Sequence, residues 1–241
     1  MICSFKKFVL FLFFFNNLYP ESIDLSQNWN MNTDFSKSEE LESLIEDRIA
    51  TLPNTLGFIV VHKGEIVSEN YYNSNESNSI NVWSVTKSFI STLIGQAVDM
   101  GMLYDPDSSA SFFFPDISES YLDTSTMHDV LSMSSGYVDQ FIPSNPFTFF
   151  FDPSQWWALN STETLLSMDH SEPGSFFYNN SACHLNSHAL YYGTGLTPSD
   201  FADIYLFPHL GINNPNWESG YLDINDGSAM LSLTLREMVK L

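Results

Sequence analysis

Positive charge is what this chain most lacks. Its 241 residues hold eight Lys and Arg against 29 Asp and Glu, a formal net charge of −21 and a pI near 4.2. That balance argues against nucleic acid as a partner, because phosphate contacts need clustered Lys and Arg. It argues equally against docking on anionic lipid headgroups; the acidity itself serves solubility. Cysteine is nearly absent: Cys3 lies in the N-terminal segment, and Cys183 is the one thiol after it. No internal disulfide is expected, so the fold must stand on its apolar core, for which 44% hydrophobic residues supply the material. Long apolar runs are missing as well. The run Phe8 to Phe15 is too short to span a bilayer as a helix. With Lys6 and Lys7 before it and polar residues from Asn16 onward, it reads as the apolar part of an export signal within residues 1–22. The expected cut lies between Asn17 and Ser22, an uncleaved anchor being the competing reading, and the expected location is periplasmic or secreted.

Residues 23–241 read as one α+β domain. After a polar arm at 23–36, Leu41, Leu44, Ile45 and Ile49 recur at helical spacing over Ser38 to Ala50, with Ser38 as N-cap. Leu56 to Val61 predicts a strand, His62-Lys63-Gly64-Glu65 a turn, and Ile66 to Tyr72 a second strand. Residues 38–83 thus open an α/β lobe, ending in an Asn- and Ser-rich loop from Asn73 to Ile80. From Ser84 the apolar residues Phe89, Ile90, Leu93, Ile94, Ala97 and Val98 predict a helix closed by Gly101. Further helices are expected over Met127 to Met133, Thr162 to Met168, Ala182 to Tyr192 and Pro198 to Tyr205, with no strand between 84 and 220. Residues 84–230 therefore form a mostly helical lobe. There are no internal repeats or heptads, and the sequons at Asn75 and Asn160 read as chance occurrences.

From Gly64 to Leu235 the sole Lys or Arg is Lys87, three residues after Ser84 in Trp83-Ser84-Val85-Thr86-Lys87-Ser88-Phe89. If Ser84 opens a helix, the two side chains share a face one turn apart. The positive end of the helix dipole then favours a developing alkoxide at Ser84, and a backbone N–H there can serve an oxyanion. The lysine could act as base if Val82, Trp83, Phe89 and Ile90 desolvate it, or remain charged and hold a tyrosine as phenolate. Alone, this spacing is as readily a surface lysine near one of many serines.

A second element lies downstream, Pro173-Gly174-Ser175-Phe176-Phe177-Tyr178-Asn179-Asn180-Ser181. Ser84-Val85-Thr86-Lys87 and Tyr178-Asn179-Asn180 together resemble the first two motifs of the serine β-lactamase and penicillin-binding-protein superfamily, in its class C-like branch. Asp129-Val130-Leu131-Ser132-Met133-Ser134-Ser135-Gly136 is similar to the family's His-Leu-Leu-x-x-x-Ser-Gly segment. Phe207-Pro208-His209-Leu210-Gly211-Ile212 is similar to its Pro-Leu-Gly-Met stretch, and Asp226-Gly227-Ser228 through Met238 to its Gly-Gly…Thr-x-Arg-Asp-Met segment. The resemblance implies a β-lactamase/transpeptidase-like fold and an exported serine hydrolase working through an acyl-enzyme on an amide, ester or lactam. It assigns Ser84 as nucleophile, Lys87 and Tyr178 as shared general base and acid, and Asn180 as a partner of the substrate amide or the lysine. Asn180 as a plain helix N-cap is the alternative. A small-molecule or short peptide-like substrate is implied, with no cofactor and no metal; the oligomeric state is left open.

Three features depart from the family or mimic other sites. Its third motif, Lys-Ser/Thr-Gly or His-x-Gly on a strand edge, has no match before Leu241 except His209-Leu210-Gly211, which comes too early. The expectation is a fragment lacking its C-terminal strands, and a non-catalytic β-lactam or peptidoglycan binder is the competing function. His184 and His188, beside Cys183, lack a third ligand at metal spacing. Tyr192-Gly193-Thr194-Gly195 lacks the Lys-Ser/Thr of a phosphate loop and reads as a helix exit. Trp156 and Trp157 are core residues or walls of the acyl pocket.

Overall fold

The computed structural model describes residues 23–49, 51–115, 117, 120–136, 161–166 and 170–241. Residues 1–22, where an export signal is expected, and Trp156, Trp157 and Asn160 lie outside them. Helix α1 (Ser38–Ile49) precedes an antiparallel hairpin of β1 (Gly57–His62) and β2 (Glu65–Tyr71). The first helical bond of α1 runs from Leu41 N–H to the Lys37 carbonyl, so the cap falls at Lys37, one residue before the expected Ser38. Ile45 is the buried residue of this helix, which packs on β2, and Leu44 faces out. The hairpin turns through Lys63 and Gly64, both at positive φ, which matches the right-handed twist of the two strands.

A second, three-stranded sheet was not anticipated. Its strands β3 (Ile80–Asn81), β4 (Asn216–Trp217) and β5 (Leu231–Leu233) pair antiparallel in the order β3-β5-β4. The expectation of no strand between 84 and 220 fails at Asn216–Trp217, and the expected loop at 73–80 ends in strand instead. Segments of two or three residues carry no readable alternation; pairing across a long sequence separation makes them strands.

Helix α2 (Thr86–Asp99) forms the centre of the helical part. Phe89, Ile90, Leu93, Ile94 and Ala97 are each 1% exposed or less, as the four-residue spacing requires. They pack chiefly on α5 (Asn180–Thr194) and α6 (Pro198–Tyr205), where Leu185, Ala189, Leu190, Phe201 and Ala202 complete one core. Short helices α3 (Met127–Leu131), α4 (Thr162–Leu166) and α7 (Phe207–Leu210) cover its flanks. Gly101, at φ +70, ends α2 where expected, turning the chain so that Met102 N–H returns to the Ala97 carbonyl at 2.8 Å. Helix α8 (Leu235–Met238) opens with a capping box between Thr234 and Glu237 and lies against β1.

Candidate active site

Two backbone devices place the serine. Asn81 ends β3 and accepts from Trp83 N–H through its side chain at 2.7 Å, starting a 3₁₀ turn over Trp83–Val85. Val82 N–H pairs with the Leu231 carbonyl at 2.8 Å, tying the turn to β5. Ser84 therefore sits in the turn that leads into α2, two residues ahead of the helix itself. Trp83 takes φ +49, a conformation uncommon for a bulky residue, and its side chain is exposed, 46%, where burial around Lys87 was expected of it. Val82, Phe89 and Ile90 are buried.

The approach to Tyr178 is held along the backbone of 133–136. Phe177 N–H donates to the Met133 carbonyl at 2.8 Å, Gly174 N–H to Ser134 at 2.7 Å, and Ser171 N–H to Gly136 at 2.6 Å. Gly136, at φ +81, has no room for a side chain: a Cβ there would lie 1.9 Å from the Ser171 carbonyl oxygen. The helix that follows is capped by Asn179, whose Oδ1 accepts from Ala182 N–H at 2.6 Å. Asn180 is thus the first residue of α5 and not its cap, and its amide points at the lysine.

These elements bring all four expected residues together. Lys87 Nζ donates to Ser84 Oγ at 3.1 Å, to Asn180 Oδ1 at 2.8 Å and to the Ser228 carbonyl at 2.7 Å. Tyr178 Oη donates to Ser84 Oγ at 2.8 Å, and its ring centroid lies 5.0 Å from Nζ. The Ser228 carbonyl is a partner that the motifs did not reveal. Its turn is fixed by Asp226, which accepts from Ser228 N–H and Oγ–H, both at 2.7 Å. The DGS segment was the available signal, yet a backbone acceptor leaves no mark on residue identity.

The look-alikes resolve on geometry. His209 and Leu210 lie in α7 and Gly211 caps it at φ +60, so that triplet is a helix end. Gly195, at φ +73, caps α5 in the same way. Cys183 is buried, which pushes its thiol up to about 11 and makes it a poor nucleophile.

The Beta-lactamase family profile matches residues 45–228, about three quarters of the chain. The chain belongs to the Beta-lactamase family. The match takes in Ser84, Lys87, Tyr178 and Asn180 and ends on the Ser228 whose carbonyl meets the lysine. No curated protein matches it. Among solved structures, this Beta-lactamase family member is similar to a protein from Bacillus anthracis described as a 6-aminohexanoate-dimer hydrolase, at 20% identity and TM-score 0.64, over 83% of this chain and 55% of that one. It is also similar to a class C β-lactamase from Rhodobacter sphaeroides, at 18% identity and TM-score 0.59, over 85% of this chain and 64% of that one. A third likeness is the octameric penicillin-binding protein homologue from Pyrococcus abyssi, at 18% identity and TM-score 0.60, over 84% and 55%. The fold is that of the β-lactamase/transpeptidase class, helices with antiparallel sheet, and the chain spans about 55–64% of the length of these relatives.

Proposed function

We propose that this protein is an exported serine hydrolase that opens amide, ester or lactam carbonyls through an acyl-enzyme on Ser84. The observation that carries the reading is the convergence on one oxygen: Ser84 Oγ is met by Lys87 at 3.1 Å and by Tyr178, 94 residues away in sequence, at 2.8 Å. Such a constellation has a nucleophile, a base within hydrogen-bond reach and groups that orient both.

The geometry divides the labour. An ammonium has three N–H donors, and three acceptors converge on Lys87 Nζ, one each from Ser84, Asn180 and Ser228. An ammonium held there, 5.0 Å from the Tyr178 ring, stabilises negative charge on the phenol oxygen. With Tyr178 as phenolate, the 2.8 Å contact reverses and Ser84 becomes its donor. Ser84 Oγ bonds to the carbonyl carbon, its proton passes to Tyr178, and the carbonyl oxygen becomes an oxyanion facing the N-terminus of α2 and the Ser84 N–H. Collapse breaks the bond to the leaving amine or alkoxide, which takes the proton from Tyr178. Water, deprotonated by the same phenolate, then releases the acyl group as an acid and restores Ser84. Lys6, Lys7 and the apolar run after them support export.

The test is covalent labelling by a fluorophosphonate and by a fluorescent penicillin. Labelling of the folded wild type and its loss in Ser84→Ala are the expected results. Folded wild type that takes up neither probe would leave a binding protein, and equal labelling of both chains would remove Ser84 from the chemistry.

A further inference from the structure

Helix α5 buries polar groups that the proposed reaction does not use. Ser181, His184, Asn186, Ser187 and His188 are each 2% exposed or less. Burying two imidazoles is costly unless they are hydrogen-bonded, and here they are bonded in series. Gly227 N–H donates to His184 Nδ1 at 3.3 Å, the two Nε2 atoms of His184 and His188 lie 3.1 Å apart, and His188 Nδ1 meets Thr162 Oγ1 at 2.5 Å.

One fixed donor sets the whole series. A backbone N–H can only donate, so His184 Nδ1 accepts and its proton sits on Nε2. That proton goes to His188 Nε2, which puts the proton of His188 on Nδ1, facing Thr162. Burial pushes the His184 imidazole down to about 3, so it stays neutral through the working range.

The other end of the series is the active site. Gly227 is pressed on α5 so closely that a Cβ would lie 2.5 Å from the Cys183 carbonyl oxygen and 2.4 Å from Ser187 Oγ. Its neighbour Ser228 presents the carbonyl that receives Lys87 at 2.7 Å. From the far side, Trp217 Nε1 donates to the Asp226 carbonyl at 2.8 Å.

We propose that His184 is a positioning residue: its Nδ1 fixes the Gly227 N–H, and with it the Ser228 carbonyl that aims Lys87 at Ser84, while His188 and Thr162 hold the tautomer that lets Nδ1 accept. The inference rests on the catalytic reading of Ser84 given above. It predicts a split between two amide variants. In His184→Asn the side-chain oxygen lies near the former Nδ1 and can still accept from Gly227, although the link to His188 is lost. In His184→Gln the amide nitrogen lies near the former Nε2 and keeps His188, whereas the acceptor for Gly227 is gone.

Turnover of an activated ester by the wild type and both variants, each checked for folding by circular dichroism, reads the split. His184→Gln should lower kcat about 10–100-fold with KM little changed, the size expected of a misplaced catalytic group, and His184→Asn should keep kcat within about threefold of wild type. A folded His184→Gln with wild-type kcat overturns the proposal. Should His184→Gln fail to fold, ¹⁵N spectra of the wild-type imidazoles decide: His184 protonated on Nε2 and His188 on Nδ1 support it, and any other pairing sinks it. A folded wild type that shows neither turnover nor labelling counts against Ser84 as nucleophile, while the imidazole spectra still report the hydrogen-bond series on their own.

Discussion

At the residue scale, adjacent asparagines at the mouth of α5 do different work. Asn179 accepts from Ala182 N–H and caps the helix, while Asn180 accepts from Lys87. Asn179→Ala should therefore lower stability by about 1 kcal/mol, measured by urea denaturation, and leave the labelling rate of folded protein near wild type. Asn180→Ala should leave stability closer to wild type and slow labelling, because Lys87 loses one of its acceptors. Tyr178→Phe removes the proton acceptor of the proposed reaction and should reduce the acylation rate by about 10²–10⁴. Lys87→Arg should abolish labelling, since a planar guanidinium cannot satisfy three acceptors that converge on one point. Normal labelling of Lys87→Arg would mean that only positive charge is needed there. That Ser84, Lys87, Tyr178 and Asn180 would converge was legible in sequence because a lone cation and two spaced motifs marked them. The Ser228 carbonyl and the acceptor atom of His184 were not, since one is backbone and the other depends on which neighbour meets each ring nitrogen.

Elements explain why these residues meet. Helix α2 carries Lys87 in its first turn and follows directly on the 3₁₀ turn that holds Ser84, and its apolar face anchors it on α5, which begins with Asn180. Phe89, on that face, is fully buried with its ring 6.4 Å from that of Phe207 in α7, so Phe89→Ala should cost about 3–5 kcal/mol by denaturant titration. Longer elements such as these were readable from periodicity. The strands β3, β4 and β5 were not, being two or three residues long and defined by pairing alone.

A second link joins α8 to the hairpin. Arg236 Nε and Nη2 bind the two oxygens of Glu69 at 2.7 and 2.5 Å, and Tyr71 donates to the same carboxylate. The hydrogen bonds from Arg236 hold the Glu69 carboxyl below its ordinary range, against the opposing effect of burial. A carboxyl lowered by folding adds stability that is complete above its unfolded value, about 4.3, and is lost as pH falls through the folded value. Arg236→Ala should be less stable near neutral pH and lose less on acidification below about pH 4.5, followed by thermal melting. Parallel acid profiles for the two chains would show that the pair does not contribute.

For the whole molecule, charge is the dominant property. A net charge of −21 on 241 residues implies self-repulsion in the compact state. Raising salt from about 10 mM to about 0.5 M shortens the screening length several-fold and should raise the melting temperature. A fall would mean that specific ion pairs such as Arg236–Glu69 outweigh the general repulsion. Cation scarcity also made the site legible, since in a chain with many lysines Lys87 would not have stood out. Fold class followed from the order of motifs along 38–241, whereas the second sheet depends on contacts between residues about 150 apart, such as Ile80 with Leu233.

The most direct measurement is the mass of the full chain after reaction with a fluorophosphonate, followed by peptide mapping. One adduct per chain, located on Ser84 within Trp83–Lys87, is the predicted result. An adduct on any other hydroxyl, or none on folded protein, would contradict the assignment of Ser84 as nucleophile.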